Sequence, residues 1–267
     1  MNLMLKGALH VHSTHSDGEF TLAELRRVFL SEECRFVCMS DHAEYFDEVK
    51  VQAYRDECHA LSDEDFVFVP GLEYRCEREM HILGYGATAA TDSGDPQSVI
   101  AHIDSQTAVS VIAHPKDEFF EWIEGFEKLP QGMETWNTKY DGRYAPRPGT
   151  FALLQRLRAR QPHMHAFYGQ DLHWRKQFRG LFVQLECAAA EPANILRALA
   201  DGNYAGQKGE LSLPSSGVLP QNLLDEFEAA HRKSQDRWRL MKRGKETLDR
   251  IGIKVPNSLK AQIRRIF

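Results

Sequence analysis

The chain has no apolar run approaching the ~20 residues that a membrane-spanning helix needs. It opens without a basic segment leading into an apolar stretch, which predicts a cytoplasmic protein with no secretion signal. Its five cysteines, Cys34, Cys38, Cys58, Cys76 and Cys187, are odd in number and form no CxxC. That usage suits free thiols in a reducing compartment and argues against cysteine-ligated zinc. Neither GxGxxG nor a Walker A sequence is present, which removes the common glycine-rich phosphate cradles, and no GxSxG elbow supports a Ser/His/Asp triad. Internal repeats, low-complexity tracts and Ser/Gly linkers are also missing. What is left is an ordinary soluble composition of 267 residues, 42% hydrophobic and 27% charged, long enough for one α/β barrel or two small domains.

The formal charge of −5 conceals an asymmetry. From His231 to Phe267 there are 12 Lys or Arg against 3 Asp or Glu, a net +9, so the remainder carries −14. A basic tail can attract nucleic acid, but a solvated helix face is the commoner explanation.

Apolar periodicity alternates along the chain. TLAELRRVFLSEE opens on the capping-box pattern Thr21 and Glu24 and spaces Leu22, Leu25, Val28 and Phe29 along one helical face. A strand in RFVCMSDHAEYF follows, then a helix from about Asp47 to Leu61, a strand in FVFVPGLEYRC and another in MHILGYG. Asp95 and Pro96 suit the N-cap and first position of a helix reaching Gln106. AVSVIAHP, GMETWN, HAFYGQDLHW and GLFVQLEC read as further strands, with helices over 149–160 and about Glu191 to Ala200. Alternation of this kind predicts parallel pairing in a barrel or a doubly wound sheet. The soft boundary is GQKGELSLPSSG, residues 206–217. It divides the chain into a barrel domain, 1–205, and a C-terminal helical extension, 206–267, packed on the barrel or on a second copy. Leu223, Leu224 and Phe227, then Trp238, Leu240 and Leu248, supply the extension's apolar spacing, and Gly252 and Pro256 separate a short terminal helix.

Chemistry concentrates in LHVHSTHSDG. Two imidazoles at His10 and His12 face one way from a strand, and the SDG turn returns Asp17 toward the strand end. An HxH alone proves little, since His163 and His165 form a second one in this chain of 12 histidines. Position strengthens the case. Asp41 and His42, Glu73, His81, His114, and Asp171 with His173 fall at or near strand ends, which in an α/β barrel share one rim. Imidazole and carboxylate together suit Zn²⁺, Mn²⁺ or Fe²⁺, and so many ligands imply more than one ion. Asp41 reads as an acceptor orienting an imidazole, and His15 as a support for Asp17 or a surface residue. In NTKYDGRYAPRP, residues 137–148, Arg143 and Arg147 are candidate phosphate-binding, catalytic residues, with Arg175 a similar one; Tyr140 and Tyr144 are candidates for ring stacking.

The motifs HVHSTHSDG, SDHAE, the pair GLE and IAHP, and QDLH resemble those of the PHP (polymerase and histidinol phosphatase) domain family, over roughly residues 7–190. The resemblance implies a distorted (β/α)7 TIM-like barrel holding two or three divalent metals. It implies a first metal on His10, His12, Glu73 and Asp171, a second on Glu73, His81 and His114, and a third on Asp17, His42 and His173. The implied activity is a metal-dependent phosphoesterase that hydrolyses a small phosphate monoester through a metal-bridging hydroxide. A nuclease, a nucleoside 3′,5′-bisphosphate phosphatase, an amide or lactone hydrolase and a non-catalytic metal-binding module are the alternatives. A small phosphorylated substrate is the expected partner, ahead of nucleic acid, and a homo-oligomer through the C-terminal helices is a further expectation.

Overall fold

The computed structural model describes residues 2–250. In chain order the elements are β1 (Leu3–Val11), α1 (Leu22–Ser31), β2 (Phe36–Met39), β3 (Asp41–His42), α2 (Glu48–Ala60), β4 (Val67–Val69), β5 (Gly71–Arg75), β6 (His81–Tyr85) and α3 (Pro96–Asp104). They continue with β7 (Val109–Ala113), α4 (Phe120–Glu124), β8 (Gly132–Asn137), α5 (Pro148–Arg158), β9 (His165–Leu172), β10 (Phe182–Cys187), α6 (Pro192–Ala200), β11 (Tyr204–Lys208), β12 (Leu211–Pro214) and α7 (Gln221–Arg250).

Local chemistry sets the helix starts. Thr21 Oγ1 accepts from the Glu24 N–H while the Glu24 carboxylate accepts from the Thr21 N–H, which satisfies two otherwise orphaned donors at the start of α1. The helix then buries Leu22, Leu25 and Phe29. Asp47 caps α2 through the Lys50 N–H, and Asp95 caps α3 through the Ser98 N–H with Pro96 in the first turn.

The fold is mixed α/β around one central sheet. Its hydrogen-bonded path runs β12-β11-β10-β1-β9-β8-β7-β6-β5-β3, and β2 branches from β1 to pair with β4. The ladder therefore does not close into a ring, as a barrel would require. The parallel pairing expected from alternation is present in β1-β2, β1-β9, β2-β4, β3-β5, β7-β8 and β8-β9. It fails at β6, which is antiparallel to both neighbours, and at β10, antiparallel to β1. Only residues 76–80 join β5 to β6, too short for the crossover of a dozen or more residues that parallel neighbours need.

The soft boundary at residues 206–217 lies largely within the sheet. β11 and β12 form a hairpin that extends the sheet beyond β10, turning at Gly209 with φ +57°. A division at residue 205 falls inside β11. The five cysteines are all buried and free, and burial pushes the thiols of Cys34 and Cys76 up to about 12. No helix among the described residues is long and apolar enough to cross a membrane.

The start of α7 packs on the domain: Phe227 is buried, with ring contacts to Trp136 and Phe151, and Leu223 and Leu224 are partly buried against the same core. Leu240, further along, is 73% exposed. The side chains of Trp238 and Leu248, and the terminal helix expected past Pro256, lie outside the described residues. Phe227→Ala is expected to lower unfolding stability by about 3 kcal/mol, the usual scale for truncating a buried phenylalanine. Urea denaturation of the full chain measures it, and an unchanged midpoint would show that α7 adds nothing to the core.

Candidate metal centre

The loops and last residues of β1, β3, β5, β7 and β9 converge, as does the first residue of β6, and the convergence depends on irregular backbone. The register of β1 shifts between Leu9 and Val11 against both β2 and β9, with His10 at φ +62°. Asp171 takes φ +52° in β9 and His114 takes φ +25° just past β7. Left-handed conformations are unfavourable for non-glycine residues and concentrate where function holds them. The sequence pattern predicts two histidines on one face of a regular strand. The strand instead bulges at His10, and the bulge re-aims the side chain. Gly18 permits the turn beyond it, since a Cβ there would lie 2.6 Å from the His12 carbonyl carbon and oxygen.

Glu73 is the hub. Its Oε1 lies 2.8 Å from His81 Nδ1, 3.2 Å from His114 Nε2 and 3.5 Å from His10 Nε2. Its Oε2 lies 3.3 Å from His12 Nε2 and 3.5 Å from His42 Nδ1. Asp171 faces the same space: Oδ1 is 3.8 Å from His10 Nε2, 3.7 Å from His12 Nε2 and 3.1 Å from His173 Nδ1, and Oδ2 is 3.7 Å from His114 Nε2. On the outer side Asp17 Oδ1 stands 3.3 Å from His173 Nε2, 3.7 Å from His42 Nε2 and 3.8 Å from His12 Nδ1. All nine residues expected as ligands are therefore brought together. The donors of eight of them gather into three groups: His10, His12 and Asp171; His10, Glu73 and His114; and His12, Asp17, His42 and His173, with His81 outside all three and joined to the cage through Glu73.

The donor set fits divalent cations. His10 Nε2, both ring nitrogens of His12 and His42 Nδ1 are buried without a hydrogen-bond partner, although buried polar atoms are nearly always satisfied. Neutral imidazoles beside carboxylates are what Zn²⁺, Mn²⁺ or Fe²⁺ ligation requires. Burial and the neighbouring His173 hold His12 well below the ordinary imidazole range. Burial opposes ionisation of Glu73 and Asp171, yet His10 beside both, His81 beside Glu73 and His173 beside Asp171 hold both carboxyls well below their usual range.

Four residues in β8 and its following loop complete the surroundings, and the sequence singles out only Tyr140 among them. Glu134 Oε1 lies 2.8 Å from His10 Nδ1, while its Oε2 accepts from the His114 N–H and from Asn137 Nδ2. Asn137 also reaches Asp171 Oδ2 at 3.3 Å. Lys139 Nζ donates to Asp171 Oδ1 at 3.0 Å, and the Tyr140 ring packs 4.3 Å from that of His114 while staying half exposed. The signal available was the polar run at a strand end, ETWNTKY.

Other expectations change. Arg147 is not presented to the centre: its guanidinium is taken by Asp141 (2.5 Å), Asp117 (2.7 Å) and the Pro115 carbonyl (2.7 Å). Arg143 is exposed, stacked 5.7 Å over Tyr144. Arg175 lies 4.7 Å over the Phe20 ring. Asp41 orients no imidazole; it accepts from Ser13 N–H, Ser13 Oγ and Ser16 Oγ, and so fixes the turn after β1. His15 turns outward to Glu57 at 2.9 Å. In the second HxH, His165 Nε2 bonds the Ala200 carbonyl at 3.1 Å, away from the centre.

No family model matches the chain. The DNA polymerase/3′-5′ exonuclease PolX of Bacillus subtilis (strain 168) is 27% identical over 151 residues, 46% of this chain and 25% of that protein. The chain thus matches only a quarter of that relative's length. Among solved structures, a two-domain protein containing a predicted PHP-like metal-dependent phosphoesterase from Bacteroides vulgatus ATCC 8482 superimposes with a TM-score of 0.55 at 16% identity, covering 85% of this chain and 70% of that one. PsfC from Pseudomonas syringae PB-5123 gives a TM-score of 0.54 at 12% identity, over 87% and 99% respectively. The chain shares the fold of these two structures, the first of which contains a PHP-like domain, and carries the motifs through which it resembles the PHP family.

Proposed function

We propose that the chain is a metal-dependent phosphoesterase acting on a small phosphate monoester. The observation that carries the reading is Glu73 within 3.5 Å of five imidazoles, several with buried nitrogens that have no other partner. His10, His12, Glu73 and Asp171 would hold one ion, Glu73, His81 and His114 a second, and Asp17, His42 and His173 a third. When bound, divalent cations of the Zn, Mn or Fe type polarise phosphoryl oxygens and lower the pKa of bound water toward neutrality. The chain's own residues do the rest. Glu134 accepts the Nδ1 proton of His10 and so turns Nε2 inward, and Asn137 steadies the Glu134 and Asp171 carboxylates. Lys139 places an ammonium where phosphoryl oxygens would meet it, and Tyr140 walls the entrance.

In this reading β2 with β3, and β4 with β5, are two strands each broken once, at Ser40 and Pro70. Proline has no N–H to give a ladder, which accounts for the second break. Counted so, seven strands would encircle the centre as a distorted barrel, with β10 to β12 outside it and the helical extension beginning after Gly217.

Chelation followed by reconstitution tests the function. Phosphate release from a monoester panel is expected to vanish with chelator and return with Zn²⁺, Mn²⁺ or Fe²⁺. Release from amides or lactones alone would move the assignment to another hydrolase class, and cleavage of oligoribonucleotides alone would make it a nuclease. Glu134→Gln is expected to weaken metal affinity about 10- to 100-fold, the scale for a group that orients a ligand. Competition with a chromogenic chelator measures it, and unchanged affinity would remove Glu134 from the site. A homo-oligomer would form through the exposed part of α7, and the particle mass of the full chain in solution tests it.

A further inference from the structure

His81 and His114 meet on one oxygen, Glu73 Oε1, at 2.8 and 3.2 Å, with their rings 5.3 Å apart. Pairing of β6 with β7 sets His81 opposite Ala113 and so brings the two backbones together. It does not set the segments that leave the ladder. Before His81 the chain turns through Arg78 at φ +57° and Glu79 at φ +61°, and after Ala113 it turns through His114 at φ +25°. These left-handed residues, none of them glycine, carry a conformational cost and persist only where neighbouring contacts hold them.

Those contacts come from two arginines. The Arg78 guanidinium reaches out of its own turn and lies 4.7 Å over the Trp122 ring and 5.5 Å over the Phe119 ring. Phe119 is buried five residues after His114, and Trp122 lies in α4. From the other side Arg147 grips the same segment through the Asp117 carboxylate and the Pro115 carbonyl, both at 2.7 Å. The neighbouring Glu79 is taken by Arg75 at 2.5 Å, and Arg78 makes no ion pair among the described residues. Its charge faces the two rings.

We propose that Arg78 is a positioning residue, which clamps the turn before His81 onto the segment after His114 and so holds both imidazoles on Glu73. The inference rests on the metal reading of the cage, and concerns the ion assigned there to Glu73, His81 and His114. Charge and position act in opposite directions at this place. Loss of a cation near a divalent ion tightens binding by Coulomb's law, whereas loss of the clamp frees the two histidines and weakens it.

Stepwise Zn²⁺ affinity of the full chain, read by competition with a chromogenic chelator, decides between them. R78Q is expected to weaken one bound equivalent by about fivefold, the scale of a cation over an aromatic face, and to leave the other equivalents unchanged. R78K keeps a cation for the rings and is expected to recover part of the loss. Arg78 is exposed, so both variants are expected to fold, with circular dichroism as the check. Equal or tighter binding in R78Q, a uniform weakening of every equivalent, or an R78K no better than R78Q overturns the clamp while the metal reading stands. A wild type that takes up no Zn²⁺ overturns the metal reading and the clamp with it.

Discussion

Glu73→Gln is expected to cut turnover of the best monoester by about three orders of magnitude, roughly 4 kcal/mol of transition-state stabilisation, and to remove at least one bound metal. The shape of the side chain is preserved, so circular dichroism should not change. What changes is charge. Glu73 is the carboxylate that faces His10, His81 and His114 through one oxygen and His12 and His42 through the other. A neutral amide removes the anion that those imidazoles share and presents an N–H₂ donor to one group of them. Two cations drawn close together need an anion between them, and Glu73 faces five imidazoles at 2.8–3.5 Å where Asp171 faces four at 3.1–3.8 Å. Wild-type turnover and full metal content in this variant would dismiss Glu73 as the bridge.

Gly169→Ala is expected to damage the centre from the opposite side without touching a ligand. A Cβ at Gly169 would lie 1.7 Å from Glu134 Oε1 and 3.0 Å from His10 Cβ, so the carboxylate must leave its place beneath His10. The strand cannot yield easily, because β9 is paired with both β8 and β1 at this level. Overpacking of this kind costs about 1–3 kcal/mol, and His10 also loses the partner that turns its Nε2 inward. Urea unfolding and a metal competition assay measure the two effects. Both should fall together in Gly169→Ala, whereas Glu134→Gln should lower metal affinity with a smaller change in stability.

The motifs made the residues of the candidate cage legible because each is local: HVHSTHSDG, SDHAE, IAHP and QDLH each deliver at least one residue from a strand end. Helix starts were legible for a similar reason, since Thr21, Asp47 and Asp95 cap within three residues of themselves. What was not legible depends on distant partners. Arg147 reads as a free cation in NTKYDGRYAPRP, but Asp117, 30 residues earlier, and the Pro115 carbonyl claim it. Glu134 and Lys139 carry no motif, and their direction follows a register shift between Glu134 and Trp136 that no periodicity signals. GQKGELSLPSSG reads as a soft boundary because of its Gly, Pro and Ser; pairing of β11 with β10 and of β12 with β11 makes most of it strand. The antiparallel β6 is the clearest case, where connection length overrides the alternating pattern.

Anomalous diffraction from crystals of the protein purified without added metal tests the account most directly. The account predicts two or three peaks at the Zn, Mn or Fe edges inside the cage of His10, His12, Asp17, His42, Glu73, His81, His114, Asp171 and His173, with Glu73 between two of them. A cage without a peak in crystals grown from protein supplied with these metals, or peaks on other residues, would contradict it.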